Sequence, residues 1–390
     1  MSGGIVQLVA TGAQDAWLTG KPEISFFRSN YKRYTHYASS VERQIVQGTP
    51  IAGGISTIRF EKKGDLLSYV YFSARDGAGS LCPVVDWSKV IDKVELLIGG
   101  QVVDTQDFTY STAIEPVTGA QTHNQRLLIG NSGNNVSPSN GTNAFYPLKF
   151  FFCKDWSVAL PLVALQFHDV ELRITWSGNL ATATSFNAAA ASTNYNNMEY
   201  ICWSSFVYLD QAERDYFAKT AQDLLITQVQ RTLVLGSQTT QELALAQPVK
   251  FIAFQTPSYG TVYNTGGGVG QGSATTKDYQ IKTQVNGVDV GEYRHLPHWV
   301  DVAQYFNTPY GYLPNGVNAG TAQVGIISYC LDTAKLQPTG TLNFSRLDTY
   351  RILVPPATTI GTLLTSTYLY AVNYNVLRIQ NGLGSVLYAN

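Results

Sequence analysis

Short runs of apolar side chains at every second position fill most of the chain from residue 41 onward. Ile58 and Phe60 alternate with Arg59 and Glu61, and Leu67, Tyr69 and Tyr71 form a second set. Val94, Leu96 and Ile98 lead into Gly99-Gly100. A period of two sends successive side chains to opposite faces, so each run reads as a strand, and Gly-Gly between two runs reads as a hairpin turn. Val170, Leu172, Ile174 and Trp176 alternate with Glu171, Arg173 and Thr175, which gives one buried and one wet face. The final run is different: Tyr368, Tyr370, Val372, Tyr374 and Val376 share one face, and Leu369, Ala371 and Leu377 lie on the other. Apolar groups on both faces predict a central strand. The pattern predicts an all-β chain.

The period changes after Leu209. DQAERDYFAKTAQ at 210–222 reads as a helix, with Asp210 as its cap, Glu213 completing a capping box, and Ala212, Tyr216 and Phe217 on one face. Flanking this helix, a motif order repeats. KVELLIGGQVVD at 93–104 is followed about sixty residues later by LPLVALQFHDVELRI at 160–174. IKTQVNGVDVGE at 281–292 is followed at a similar distance by LNFSRLDTYRILV at 342–354. The order predicts two copies of one β fold, each an eight-stranded jelly roll of two sheets, joined by the helix. The expected organisation is an N-terminal arm with a short helix at 1–40, a first jelly roll at 41–209, a helical connector at 210–224 and a second jelly roll at 225–390. Polar stretches at 105–146 (with GNSGNNVSPSNGTN at 130–143), 178–197 and 256–276 read as long loops gathered at one end, away from the arm.

Charge narrows the function. Only 14% of the residues are charged, against a usual quarter or so. That scarcity fits either a polar, uncharged surface or extensive contact with neighbours. The net charge is −1 and there is no basic tail, so direct, sequence-specific nucleic-acid binding is not expected. Cys82, Cys153, Cys202 and Cys330 form no Cys-x-x-Cys pair and are expected as free, buried thiols of a protein made in the cytoplasm. The N-terminal segment lacks the pattern of a signal peptide, and no stretch approaches the roughly 20 apolar residues of a membrane span.

The search for chemistry returns little. Among His36, His123, His168, His295 and His298, the last pair could share a metal on a helix, but Pro297 argues against a regular helix there and no third ligand is near in sequence. His168 and Asp169 are adjacent in a strand and so point to opposite faces. GGGVGQG lacks the Lys-Ser/Thr ending of a phosphate-binding loop, and no Gly-x-Ser-x-Gly elbow occurs. No catalytic, cofactor or metal residues are therefore assigned. Arg28, Lys32 and Arg33 form a small basic cluster, either a contact for an anionic partner or an ordinary solvated helix face. Asn135, Asn140 and Asn343 begin Asn-x-Ser/Thr sequons, and the first two, in the polar loop, are candidate glycosylation sites.

Five segments resemble, in order, the major capsid proteins of nucleocytoplasmic large DNA viruses, the algal ones especially: LVATGAQDAWLTGKPEISFF at 8–27, FFFCKDWSVALPLVALQFHDVELRI at 150–174, FVYLDQAERDYFA at 206–218, LNFSRLDT at 342–349 and LYAVNYNVLRIQNGLGSVLYAN at 369–390. The resemblance implies a double jelly roll whose homotrimer forms a pseudo-hexagonal capsomer of an icosahedral double-stranded DNA virus shell. It also implies an arm on the inner side, contact with neighbouring capsomers, minor capsid and penton proteins and an internal membrane, and a place in the virion. Two other readings arise from β-sandwich architecture alone: a lectin that uses aromatic side chains of the loops, and a carbohydrate-active enzyme.

Overall fold

A computed structural model describes residues 2–9, 12–75, 85–120, 142–143, 145–180, 195–257, 279–308, 323–356, 358–364 and 366–388. The chain forms two units, residues 1–36 and 37–390. The first holds a helix at Ser2–Val9 and a short helical stretch through Ala13–Asp15 and Ala16–Thr19, followed by extended chain.

The second unit is built from strands. In chain order the first are β1 (Tyr37–Gln44), β2 (Val46–Gln47), β3 (Ile55–Arg59), β4 (Leu66–Arg75), β5 (Val85–Asp86), β6 (Ile91–Ile98), β7 (Gln101–Asp107), β8 (Thr142–Asn143), β9 (Phe145–Pro147), β10 (Leu160–Pro161), β11 (Val170–Trp176) and β12 (Glu199–Leu209). A helix, Gln211–Lys219, leads from β12 to β13 (Gln222–Leu233). After it come β14 (Thr240–Glu242), β15 (Pro248–Thr256), β16 (Gln280–Val285), β17 (Val288–His295), β18 (Gln323–Ser328), β19 (Leu342–Asn343), β20 (Tyr350–Leu353), β21 (Tyr368–Gln380) and β22 (Leu383–Val386).

Four sheets carry the fold. One runs β1-β12-β4-β10 with β9 also on β4, and its mate runs β2-β3-β11-β6-β7. The other pair runs β13-β21-β15-β18, with β19 also on β15 and β22 on β21, and β14-β20-β16-β17. The two pairs share one wiring. β12 sits between β1 and β4 as β21 sits between β13 and β15; β4 carries β9 and β10 as β15 carries β18 and β19; and β3-β11-β6-β7 corresponds to β14-β20-β16-β17. An antiparallel ribbon wound into two facing sheets in this order is a jelly roll, and the fold is an all-β double jelly roll.

The repeated motifs are the same hairpin in each copy. β6 and β7 turn through Gly99 and Gly100 at φ of 57° and 81°, and β16 and β17 through Asn286 and Gly287 at 48° and 80°. Two successive positive φ values match the right-handed twist of the strands, and Gly and Asn bear them at least cost. β21 is central as its two apolar faces predict, lying between β13 and β15. Alternation places Val170, Leu172, Ile174 and Trp176 in the core, each at most 1% exposed, with the Trp176 indole donating to Ser56 Oγ at 2.8 Å.

Three expectations need correction. The stretch from Thr105 is not loop at its start: β7 continues to Asp107, and a wide helical turn, Tyr110–Ile114, runs into a helix at Glu115–Thr118. The Asp107 carboxylate caps it by accepting from the Tyr110 amide at 2.8 Å. Pro297 does not prevent a helix; it precedes the equivalent turn, His298–Val302, which continues into Ala303–Asn307. Proline is tolerated there because the first amides of a helix have no intrahelical acceptor. Finally, Asp210 makes no side-chain cap on its helix. Asp65 fixes that start instead, accepting from the Leu209 amide at 2.8 Å and pairing with Arg214 at 2.9 Å. Most of 105–146, 178–197 and 256–276 lies outside the described residues, and with it the question of which end those loops share.

Candidate functional site: the seam between the two halves

β7 is the edge strand of its sheet, and its far side meets β13 and β21. Its sequence, QVVDTQD, puts two acids where an edge strand would otherwise offer free backbone groups. Asp104 Oδ1 accepts from the Val229 amide at 2.9 Å, and the Gln228 side-chain amide donates to the Val103 carbonyl. Asp107 Oδ2 accepts from the Tyr370 hydroxyl at 2.7 Å, with Arg231 at 3.6 Å. Burial pushes the Asp104 carboxyl up to about 6, although the Val229 amide and the Gln106 side chain favour its charged form. Asp107 is raised by burial as well, against the Tyr110 amide and the Tyr370 hydroxyl.

Beside this polar row lies an apolar one. The helix after β7 lays Tyr110, Ile114 and Val117 on the outer face of the second half's larger sheet, against Phe251, Ala253, Val324, Ile326 and Val372. Glu115 in the same helix is buried with Lys149 at 3.6 Å and Lys154 at 3.7 Å, and the Thr333 hydroxyl donates to the Thr118 carbonyl at 2.9 Å. At the far end His168 Nδ1 lies 2.9 Å from the Gly384 carbonyl, and the Phe167 amide donates to Gly382 at 3.0 Å. A cavity of about 970 Å3 opens along the seam, lined by Tyr71, Tyr110, Trp203, Lys250 and Val372 among others. Burial lowers the Lys250 ammonium to about 8, and it donates to the Lys335 carbonyl at 2.7 Å.

The seam holds the two halves together by burial, hydrogen bonds and the ion pair of Asp107 with Arg231. Burial pushes the Cys153 thiol up to about 12 and raises Cys202 further, which keeps both from acting as thiolates. Among the described residues no three His, Cys, Asp or Glu side chains gather as a metal site. His168 and Asp169 have separate partners, the latter pairing with Arg59 at 2.5 Å. Arg294 donates to His298 Nε2 at 2.7 Å, while His295 Nε2 lies 3.5 Å from the Gln280 amide. Cys153, Cys202 and Cys330 are free thiols, and Cys82 lies outside the described residues.

Arg28, Lys32 and Arg33 are exposed in the extended part of the first unit, so the cluster does not lie on a helix face. Asn135 and Asn140 lie outside the described residues, and Asn343 sits in β19, accepting from the Ser345 amide at 3.1 Å. Among the described residues no helix is long and apolar enough to cross a membrane. Sequence reading missed the seam itself. The usable signal was local: two acids in one strand, followed by the apolar spacing Tyr110, Ile114, Val117.

Residues 25–210 match the family described as major capsid protein N-terminus, and residues 213–385 match large eukaryotic DNA virus major capsid protein. The major capsid protein of Paramecium bursaria Chlorella virus 1 is 31% identical and that of Pyramimonas orientalis virus 30%, each match covering 100% of both chains. The solved capsid of the former virus superposes with a TM-score of 0.68 at 26% identity, covering 94% of this chain and 100% of that one. The Faustovirus major capsid protein shares the fold, with a TM-score of 0.58 at 12% identity over 97% of each chain. The shared architecture and the full-length likeness lead to one conclusion: this chain belongs to the major capsid proteins of large eukaryotic DNA viruses, a structural component of the virion shell.

Proposed function

We propose that the protein acts as a homotrimer, a pseudo-hexagonal capsomer in which three chains contribute six jelly rolls. The observation that carries this is the duplicated wiring of residues 37–390 into two like halves locked by one buried seam. Two similar halves make a pseudo-two-fold building unit, and head-to-tail contacts between such units avoid endless growth only by closing a ring. The proposed organisation is an arm at 1–40, jelly rolls at 41–209 and 225–390, and a connector at 210–224, supported by the helix Gln211–Lys219 and by sheets that form on either side of it. Light scattering on the purified full chain should give about three times the 42.7 kDa chain mass. A monomer across the accessible concentration range would reject the trimer.

The capsomer would meet neighbouring capsomers, minor capsid and penton proteins. The exposed cluster Arg28, Lys32 and Arg33 would face an internal membrane or an acidic minor protein, and Asn135 and Asn140 would be available for glycans. Synthesis in the host cytoplasm and a purely structural, non-enzymatic role complete the reading. Deleting residues 1–25 should leave a folded trimer that assembles poorly with membrane or minor capsid proteins.

A further inference from the structure

One buried cation lines the seam cavity without a counter-charge of its own. Lys250, in β15, is 3% exposed. An ammonium carries three donors. This one donates to the Lys335 carbonyl at 2.7 Å and lies 5.4 Å from the centre of the Tyr374 ring. Among the described residues no carboxylate pairs with it, although a buried charge is ordinarily paired. Burial works most strongly against its charged form, and Lys154, which lines the same cavity, adds a like charge. Asp332 offsets part of this from beyond ion-pair distance.

The rest of the lining shares the imbalance. Lys149 and Lys154 converge on one carboxylate, Glu115, at 3.6 and 3.7 Å. Lys335 is matched by Asp332 at 3.6 Å, and Asp155 is turned to the Ser157 amide at 2.9 Å. Lys149, Lys154 and Lys250 therefore face a single acid, which leaves positive charge in excess. The other lining groups are rings. Tyr69 and Tyr71 stack at 6.4 Å, Phe145 meets Tyr71 edge-on at 6.0 Å, and the Trp203 indole donates to Ser73 Oγ at 2.9 Å. All four rings are half-buried and border the cavity. Its volume of about 970 Å3 is ample for a small molecule, and aromatic walls with a few placed charges are the usual make-up of such a site. Lys250 comes from the second half, and the four rings, Lys149 and Lys154 from the first.

We propose that the seam cavity binds a small organic anion, with a planar aromatic body against Tyr71 and Trp203 and a carboxylate or phosphate head neutralised by Lys250, Lys149 and Lys154. The head supplies the counter-charge that Lys250 lacks, and charge-assisted hydrogen bonds are the strong ones. Tyrosine and tryptophan faces favour a flat ring over an alkyl chain. A cation would meet like charge there, and a neutral ring would leave the ammonium groups unanswered. Because the ligand touches both halves, it stabilises the folded chain in proportion to its occupancy. Every group named belongs to one chain, so the assignment is independent of the trimer.

Titration calorimetry on the purified full chain tests this with probes that share one ring system: 1-naphthoate, 1-naphthyl phosphate, 1-naphthylmethanol and 1-naphthylmethylammonium. At least one of the two anions should bind at a single site per chain, about tenfold or more tighter than the alcohol, and the ammonium should bind weakest. Which anion binds tells a carboxylate site from a phosphate site. The same anion should raise the melting temperature as its concentration rises. Lys250→Met keeps the apolar stem and removes the charge, so it should abolish the preference for anion over alcohol. Tyr71→Leu should weaken anion and alcohol alike, by about tenfold. The assignment is overturned if neither anion binds up to millimolar concentration, if anion and alcohol bind equally, or if the preference persists in Lys250→Met. Should Lys250→Met fail to fold, Tyr71→Leu decides: anion affinity unchanged in that variant places the anion elsewhere and overturns the site.

Discussion

The two halves share their wiring but not their filling. The first core is rich in rings, with Phe72, Trp87, Phe150, Phe151, Phe152, Trp176, Tyr195 and Phe206 all at most 2% exposed. The second relies on branched aliphatics such as Val249, Ile252, Ile281, Ile352, Ile360 and Leu363, with few rings among them. The first core also draws in Ile226, Leu377 and Ile379 from β13 and β21, so second-half strands help to close it. Jelly-roll wiring therefore sets where strands go without prescribing what fills them. Large rings bury much area in few residues and lock by edge and face contacts, such as Phe151 on Phe152 at 5.4 Å. Aliphatic packing tolerates exchange more readily. The first half should accordingly be the less forgiving of single changes.

The most damaging change should be in the ring-filled core. Trp176→Ala removes a 1% exposed indole and orphans Ser56, and should cost roughly 3–5 kcal/mol. Ile352→Ala in the second core, 0% exposed, should cost roughly 2–5 kcal/mol. Urea unfolding monitored by tryptophan fluorescence compares them, and a larger loss for Ile352→Ala would reverse the stated contrast.

A second contrast concerns the two helical turns, compared by urea unfolding at one chain concentration. Ile114→Ala should destabilise by roughly 2–5 kcal/mol because it opens a cavity in the seam. Val302→Ala, its exposed counterpart, should stay within about 0.5 kcal/mol. Equal losses would mean that the second turn is already buried in the single chain.

The third concerns acid. The folded-state carboxyl of Asp104 lies at about 6, above its ordinary 3.8. Between those values the folded chain holds a proton that the unfolded chain has released. This group's contribution to stability is thus fully present below about pH 4 and is lost as pH rises through about 6, worth about 3 kcal/mol at 1.36 kcal/mol per unit. Asp104→Asn, which can still accept from Val229, should flatten the stability profile between pH 4 and 7. An unchanged slope in urea titrations across that range would show that Asp104 titrates normally. The corresponding strand of the second half, β17, offers Gly291 and no buried acid, so no matching effect is expected there.

The smallest of the losses within the seam should come from the hydroxyl of Tyr370. Tyr370→Phe removes one hydrogen bond to Asp107 while Arg231 and the Tyr110 amide remain, for a loss of roughly 1.5–3 kcal/mol at most. No change in melting temperature would show that this bond does not strengthen the seam.

Local pattern was enough for the class of fold, the strands with clear alternation, the Gly99-Gly100 turn and the helix at Gln211–Lys219. Each is read over a few residues: a period of two or 3.6, or a φ that few residues accept. Pro297 and the polar composition after Thr105 misled, because the helical turns at Tyr110 and His298 continue into the helices Glu115–Thr118 and Ala303–Asn307. Which edge strand would be covered was settled by tertiary packing. β7 and β17 are written in similar residues and lead into similar turns, yet one lies against β13 and the other remains exposed. Alternation records which face of a strand is apolar. The partner of an edge is chosen by how distant segments pack, and that leaves no period in the sequence.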